Sequence, residues 1–240
     1  MISYKPMSDK PSVRSPWFWV PSLYFAQGIP YVAVMIVSVL MYKRLGVSNT
    51  DIALYTSWLN LPWVIKPFWS PFVDLLKTKR WWVATMQLLI GAGLAGVAFT
   101  IPTTFFFQAS LAVFWLLAFS SATHDIAADG FYMLALDSHE QAFFVGIRST
   151  FYRIAIIAGQ GVLVMFAGFL ENSTGNIPLA WSVTFFILGG LFLALFLYHR
   201  YILPLPKGDK PSATVTPSTI LKEFFATFAS FFKKKQAFVA

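Results

Sequence analysis

Six long apolar blocks, separated by short polar stretches, decide what this chain can fold into. They run over about 17–42, 52–76, 81–101, 105–136, 142–170 and 178–202. A helix rising ~1.5 Å per residue needs about 20 residues to cross a hydrocarbon core of ~30 Å, and each block meets that length. The blocks are continuous rather than alternating, which argues against barrel strands, and in lipid a helix satisfies its own backbone groups. A soluble reading fails on charge. Only 12% of the residues are charged, about half the share a soluble domain carries, so a water-exposed globule would be left uncovered. The pattern predicts an all-α membrane protein with six transmembrane helices in one bundle, residues 17–202.

The net charge of +8 invites a nucleic-acid reading, but most of the Lys and Arg sit between or beside the apolar blocks. There they set topology and meet lipid headgroups. With the N-terminus inside, that side receives Lys5, Lys10, Arg14, Lys77, Lys79, Arg80, Arg200, Lys207 and Lys210, against Lys43 and Arg44 outside. Nine against two predicts a cytoplasmic N-terminus on a multi-pass protein, and no nucleic-acid partner. The first block exceeds the ~7–15 residues of a signal-peptide core and has no small-residue cleavage site, so it is expected to remain as the first span. There is no cysteine, which excludes thiol chemistry.

Outside the blocks, residues 1–16 read as a basic cytoplasmic tail. Residues 203–235 read as a cytoplasmic linker, rich in Pro, Lys, Ser and Thr at first, with an amphipathic helix over Leu221–Phe232. Residues 236–240 turn apolar again, and the expectation is the start of a seventh span that breaks off.

Five charges lie well inside the blocks, away from their last turns: Lys66 in the second, Asp125 and Asp129 in the fourth, Arg148 and Arg153 in the fifth. Even the lenient insertion scale sets the cost of one ionised side chain at mid-bilayer at about 2.5–3.5 kcal/mol, so they must face protein, water or one another. Asp125 and Asp129 are four apart and share a helix face, continued by Ser121 and Tyr132. Arg153 enters its block by ~16 Å at helical rise, so three cations and two carboxylates are expected at one depth. Arg148, two turns in, is expected to snorkel toward the headgroups. For the others two readings stand: ion pairs that lock helices together, or a substrate or ion pathway. His124 beside Asp125 suggests a metal, but adjacent helical residues point ~100° apart and no second histidine matches in depth. No cofactor is expected.

Pro30, Pro62, Pro67 and Pro71 fall within blocks and should kink or break their helices, as in proteins that change the side to which they open. Gly91, Gly93 and Gly96 in the third block, with Gly189 and Gly190 in the sixth, are expected to admit close helix packing. An enzyme is disfavoured. The chain has no Gly-x-Ser-x-Gly elbow and no His-Glu-x-x-His helix, and Asp129-Gly130 lacks the further acids of a phosphotransferase site. A sensor derived from a transporter is a second alternative, separable by binding without net flux.

Four stretches together carry a resemblance. They are Tyr24-Phe-Ala-Gln-Gly-Ile-Pro30, Leu61-Pro-Trp-Val-Ile-Lys-Pro-Phe-Trp-Ser-Pro-Phe-Val-Asp74, His124-Asp-Ile-Ala-Ala-Asp-Gly130 and Phe151-Tyr-Arg153. In this order and spacing the chain resembles the AmpG-like muropeptide permeases of the major facilitator superfamily, and more distantly the acetyl-CoA transporters grouped with them. The resemblance covers nearly the whole chain and the N-terminal half of such a permease. It implies proton symport of cell-wall muropeptides across a bacterial inner membrane, by alternating access, with a C-terminal transporter half as partner. It implies proton-coupling roles for Asp125 and Asp129, and substrate contacts for Lys66, Arg153 and Gln27. Asp74, Lys79 and Arg80 take the place of the superfamily's gating signature, although Ser70 stands where glycine is usual and Leu75 replaces a basic residue. An acetyl-CoA or other anionic-solute transporter is the alternative.

Overall fold

The computed structural model describes residues 14–210, and among these residues the backbone is helical with no β-strand. Five helices are long and apolar enough to cross a membrane: α1 (Pro16–Arg44), α3 (Lys79–Thr100), α4 (Phe106–Ala135), α5 (Ser138–Thr174) and α6 (Ile177–Ile202). The second block departs from the expected continuous span. Its run, 49–75 (α2), consists of three short α-helical pieces, Asn49–Thr56, Leu61–Ile65 and Ser70–Leu75, linked through tighter 3-10 turns. The prolines account for the breaks. Pro62, Pro67 and Pro71 each sit in the first turn of a new piece, where the missing N–H costs nothing, while the preceding turn loses a donor.

Pro30 acts more gently. It lies inside α1, and the helix widens into a π turn over Ala33–Val37 without breaking. A second π turn, Gly159–Leu163, lies in α5, and the two wide turns pack on each other. Short connections are closed by side-chain caps. Ser48, Thr78, Asp137 and Asn176 each accept a hydrogen bond from the first turn that follows, and Asp137 completes a capping box with Glu140. Gly46 and Gly175 turn the chain at positive φ, 83° and 64°, after α1 and α5.

Helix α3 packs between α4 and α6, while α1 packs on α4 and α5. The larger apolar core holds Tyr42, Phe114, Trp181, Phe185 and Phe192, and a second cluster surrounds Trp19 and Phe131 at the end where α1 begins. At the opposite end Arg44 pairs with Glu171, whose other oxygen accepts from Trp181 Nε1 at 2.7 Å, joining α1, α5 and α6.

Two close approaches depend on glycine. A Cβ on Gly28 would stand 2.7 Å from Ala155 Cβ and 2.8 Å from the Tyr152 carbonyl oxygen, so α1 meets α5 at backbone distance there. Gly91 and Gly189 face each other's carbonyls at 3.2 and 3.0 Å in the same sense, bringing α3 onto α6. Gly93 has Leu117 pressed against it, whereas Gly96 has only ordinary contacts and Gly190 has open space. The expectation of close packing is therefore corrected at the last two: Gly96 meets Val113 of α4 only at ordinary contact distance, and Gly190 meets nothing.

The chain does not leave the bundle at once after α6. Leu203 is buried, and Asp209 folds back to accept hydrogen bonds from the backbone N–H groups of Lys79 and Arg80 at 2.5 and 3.0 Å. Residues 1–13 of the basic tail, 211–235 of the linker with its amphipathic helix, and the proposed seventh-span start at 236–240 lie outside the described residues.

Gly28→Ala is expected to destabilise the protein by about 1–3 kcal/mol, because the added methyl has nowhere to go. Gly190→Ala should be neutral or gain up to ~1 kcal/mol from helix propensity. Thermal unfolding of both variants in detergent checks the contrast, and equal effects would contradict the crossing geometry.

Candidate functional site

The broken helix α2 brings Lys66 to the bundle. Its Nζ stands 4.0 Å from Asp125 Oδ2, across from α4. Trp69 Nε1 donates to Thr123 Oγ1 at 3.2 Å, and Trp63 meets the Tyr31 ring edge-to-face at 5.2 Å. These contacts fix α2 against α4 and α1 on either side of the lysine. Asp125 is buried, with 7% of its surface exposed, and its Oδ1 has no hydrogen-bond partner among the described residues. Gln27 and Trp63 lie against the carboxyl group, and Tyr152 and Asp129 are within electrostatic range. Gln27 Oε1 is likewise buried and unpartnered among the described residues. Two polar groups are thus left with unused hydrogen-bonding capacity beside one weak ion pair, an arrangement that favours a further ligand or proton.

One turn along α4, Asp129 belongs to a different cluster. Tyr24 Oη donates to Asp129 Oδ1 at 2.9 Å, and Arg148 Nη1 donates to both Tyr24 Oη at 3.0 Å and Asp129 Oδ1 at 3.3 Å. The guanidinium lies over the rings of Tyr24 and Tyr132, at 5.3 and 4.9 Å from their centroids. Arg148 therefore turns inward rather than snorkelling outward, because a carboxylate and two aromatic faces lie within its reach.

The charges do not all meet. Lys66 pairs with Asp125 and Arg148 with Asp129, while Arg153 is exposed and has no ion-pair partner among the described residues. Arg153 does share a cavity of about 290 Å³ with Tyr24, Gln27, Asp129, Arg148 and Tyr152, between α1, α4 and α5. The cavity is open to the surface, and none of its lining residues belongs to α2. It unites Gln27, Asp129, Arg148 and Arg153 of the residues expected at the site or beside it, whereas Lys66 and Asp125 are not among its lining residues.

Behind Asp125 runs a polar chain that sequence reasoning missed. His199 Nδ1 donates to Gln87 Oε1 at 3.0 Å, Gln87 Nε2 donates to His124 Nε2 at 3.1 Å, and Ser22 Oγ lies 3.0 Å from His199 Nε2. Gln87 offers one acceptor and one donor, which sets the proton on Nδ1 of His199 and the lone pair on Nε2 of His124. Four helices, α1, α3, α4 and α6, are tied through groups that are mostly fully buried. Gln87 and His199 were visible in the sequence as lone polar residues in apolar blocks, but nothing there paired them.

The residues expected at the gate, Asp74, Lys79 and Arg80, sit at the end where α1 begins. Lys79 Nζ pairs with Asp74 at the close of α2. The lysine stem fills the notch at Gly130, where a Cβ would come within 2.8 Å of Lys79 Cε. That contact accounts for the glycine after Asp129. Arg80 donates through Nη2 to the carbonyl of Arg200. Asp209, also unanticipated, caps the same turn of α3.

The Asp129–Arg148 pair is half-exposed, so its worth is modest. A double-mutant cycle with Asp129→Asn and Arg148→Gln should give a coupling of about 0.5–1 kcal/mol in thermal unfolding. A coupling near zero would contradict the cluster.

Known proteins place the chain. The model of the BT1 family matches residues 25–236. A Rickettsia conorii protein named as a transporter, AmpG 4, is 29% identical over 181 residues, covering 71% of this chain and 41% of that protein. The anhydromuropeptide permease of Escherichia coli K12 is 24% identical over 225 residues, covering 90% of this chain and 42% of the permease. A Rickettsia felis counterpart of AmpG 4 is 26% identical over 228 residues, with 90% and 52% covered. The chain thus spans about half the length, or less, of these relatives. Their names are those of transporters and permeases, in keeping with the apolar helices and with the resemblance found in the four sequence stretches. Matched by the family model over most of its length, this chain belongs to the BT1 family.

Proposed function

We propose that the chain forms one six-span bundle of a major-facilitator-type transporter, with α2 as a broken span, and that it takes part in proton-coupled uptake of muropeptides by alternating access. The observation that carries this reading is the buried Asp125, facing Lys66 at 4.0 Å with its second oxygen unpartnered among the described residues. A proton arriving at Asp125 removes the charge that holds Lys66, and a proton leaving restores it. One ion pair that makes and breaks in this way links protonation to the position of α2. Asp129, held by Tyr24 and Arg148, braces the neighbouring turn.

The open cavity is one wall of the substrate site in this proposal. Lys66 and Arg153 complement the carboxylates of an anionic sugar-peptide, and Gln27 supplies an amide for its polar groups. A second bundle supplies the opposite wall. That the matched relatives are about twice as long supports this, as does the uncovered face of α2 and α5. Asp74 and Lys79, joined across the α2–α3 turn, act with Arg80 as the latch at the cytoplasmic end. The excess of basic residues at that end supports a cytoplasmic N-terminus, and a bacterial inner membrane is the proposed location. Acetyl-CoA remains the second reading, because its phosphates suit the same two cations.

In vesicles from cells producing the protein, Asp125→Asn should reduce accumulation of labelled anhydro-muropeptide under an imposed proton gradient to background. Unchanged accumulation would sink the coupling role. Unlabelled sugar-peptide should compete and CoA esters should not; the reverse order would transfer the assignment to acetyl-CoA.

A further inference from the structure

At the end of the bundle where α1 begins lies a cavity of about 510 Å³, separate from the site between α1, α4 and α5. Arg14, Arg80 and Lys207 line it, together with Leu134, Tyr201 and Leu205, and among the described residues no carboxylate does. Its electrostatics are unbalanced. Arg14 and Arg200 both crowd Arg80 with like charge. The nearby carboxylate, Asp209, already accepts from the backbone N–H groups of Lys79 and Arg80. Arg80 spends one Nη2 hydrogen bond on the Arg200 carbonyl, and its Nε is buried with no partner among the described residues. Three cations on one cavity wall, the Arg80 guanidinium among them, fit an anion with several oxygen acceptors.

The rest of the wall says what carries that anion. Tyr201 and Leu205 are 70% and 78% exposed beside the cations. Both follow or close α6, a membrane helix, at its basic end. A phosphate in solution gains nothing from that apolar rim, whereas a lipid lays its glycerol and first methylenes along it and its phosphate among the arginines. We propose that this cavity is a binding site for a phosphate ester, occupied by the headgroup of an anionic phospholipid, between the start of α3 and the ends of α4 and α6. Bound there, the lipid would bridge Arg80 to the segment after α6 and neutralise the cation cluster.

The full chain, equilibrated in mixed micelles with equal phosphatidylglycerol and phosphatidylcholine, gives a direct reading by native mass spectrometry of the lipid retained. Phosphatidylglycerol should be enriched several-fold, and Arg14→Gln with Lys207→Gln should bring the ratio close to one. Lys43→Gln, at the other end of the bundle, should leave it unchanged. Should the double variant misfold, as judged by circular dichroism, Lys207→Gln alone serves, since that side chain is exposed; it should reduce the enrichment. Equal retention of the two lipids, or an enrichment that survives these substitutions, would overturn the site. Excess inorganic phosphate should not displace the lipid; displacement would overturn the lipid assignment in favour of a free anion.

Discussion

A carboxylate in an apolar bundle needs a cation, and the placing of Lys66 opposite Asp125 shapes much of what surrounds it. The lysine sits at a 3-10 turn between two short pieces of α2, where a straight helix would not run. Three prolines interrupt the helix so that it bends past α4, and Trp63 and Trp69 hold the bend in place. The cost of burying Asp125 is met in part by one long ion pair at 4.0 Å, with Gln27 and Trp63 also against the carboxyl group, and that pair is weak by the standard of a direct bidentate contact. A tight pair would have locked α2 to α4. This one leaves an oxygen of Asp125 and an oxygen of Gln27 open beside it.

The molecule divides into a braced part and a less covered one. Helices α1, α3, α4 and α6 share the Ser22–His199–Gln87–His124 chain, the Gly91–Gly189 crossing and the larger apolar core. Helix α2 is broken and much of its surface is uncovered, and much of α5 also faces outward. The charged groups of the candidate site cluster where these two parts meet. In the proposed cycle the braced helices form the frame, and α2 is the element whose hold on it depends on charge.

Much of this was legible in the sequence, and the limits are physical. Apolar length and helical period identify five of the six blocks as long helices, because in lipid the backbone leaves little choice. Proline marks where the second block breaks, but the sequence does not say that a proline in α1 widens the helix while those in α2 divide it. The difference lies in spacing: Pro30 stands alone, and the other three restart the helix every few residues. Asp125 and Lys66 could be expected together from their depths. The partner of Asp129 could not, since Arg148 had two aromatic faces to stack on, and those faces are set by the rotation of α1 against α4. Gly190 and Gly96 show the same limit from another side. A glycine marks a possible close approach, and the helix phase decides whether anything approaches.

Because the chain has no cysteine, single-cysteine labelling tests the central claim most directly. A cysteine at Ser149, on the wall of the α1–α4–α5 cavity, would be probed in the full chain in sealed vesicles with a membrane-impermeant maleimide applied from either face. The proposed alternating access predicts labelling from both faces, with the balance shifting when a proton gradient is imposed and the shift absent in Asp125→Asn. Labelling from one face alone, whatever the gradient, would contradict it.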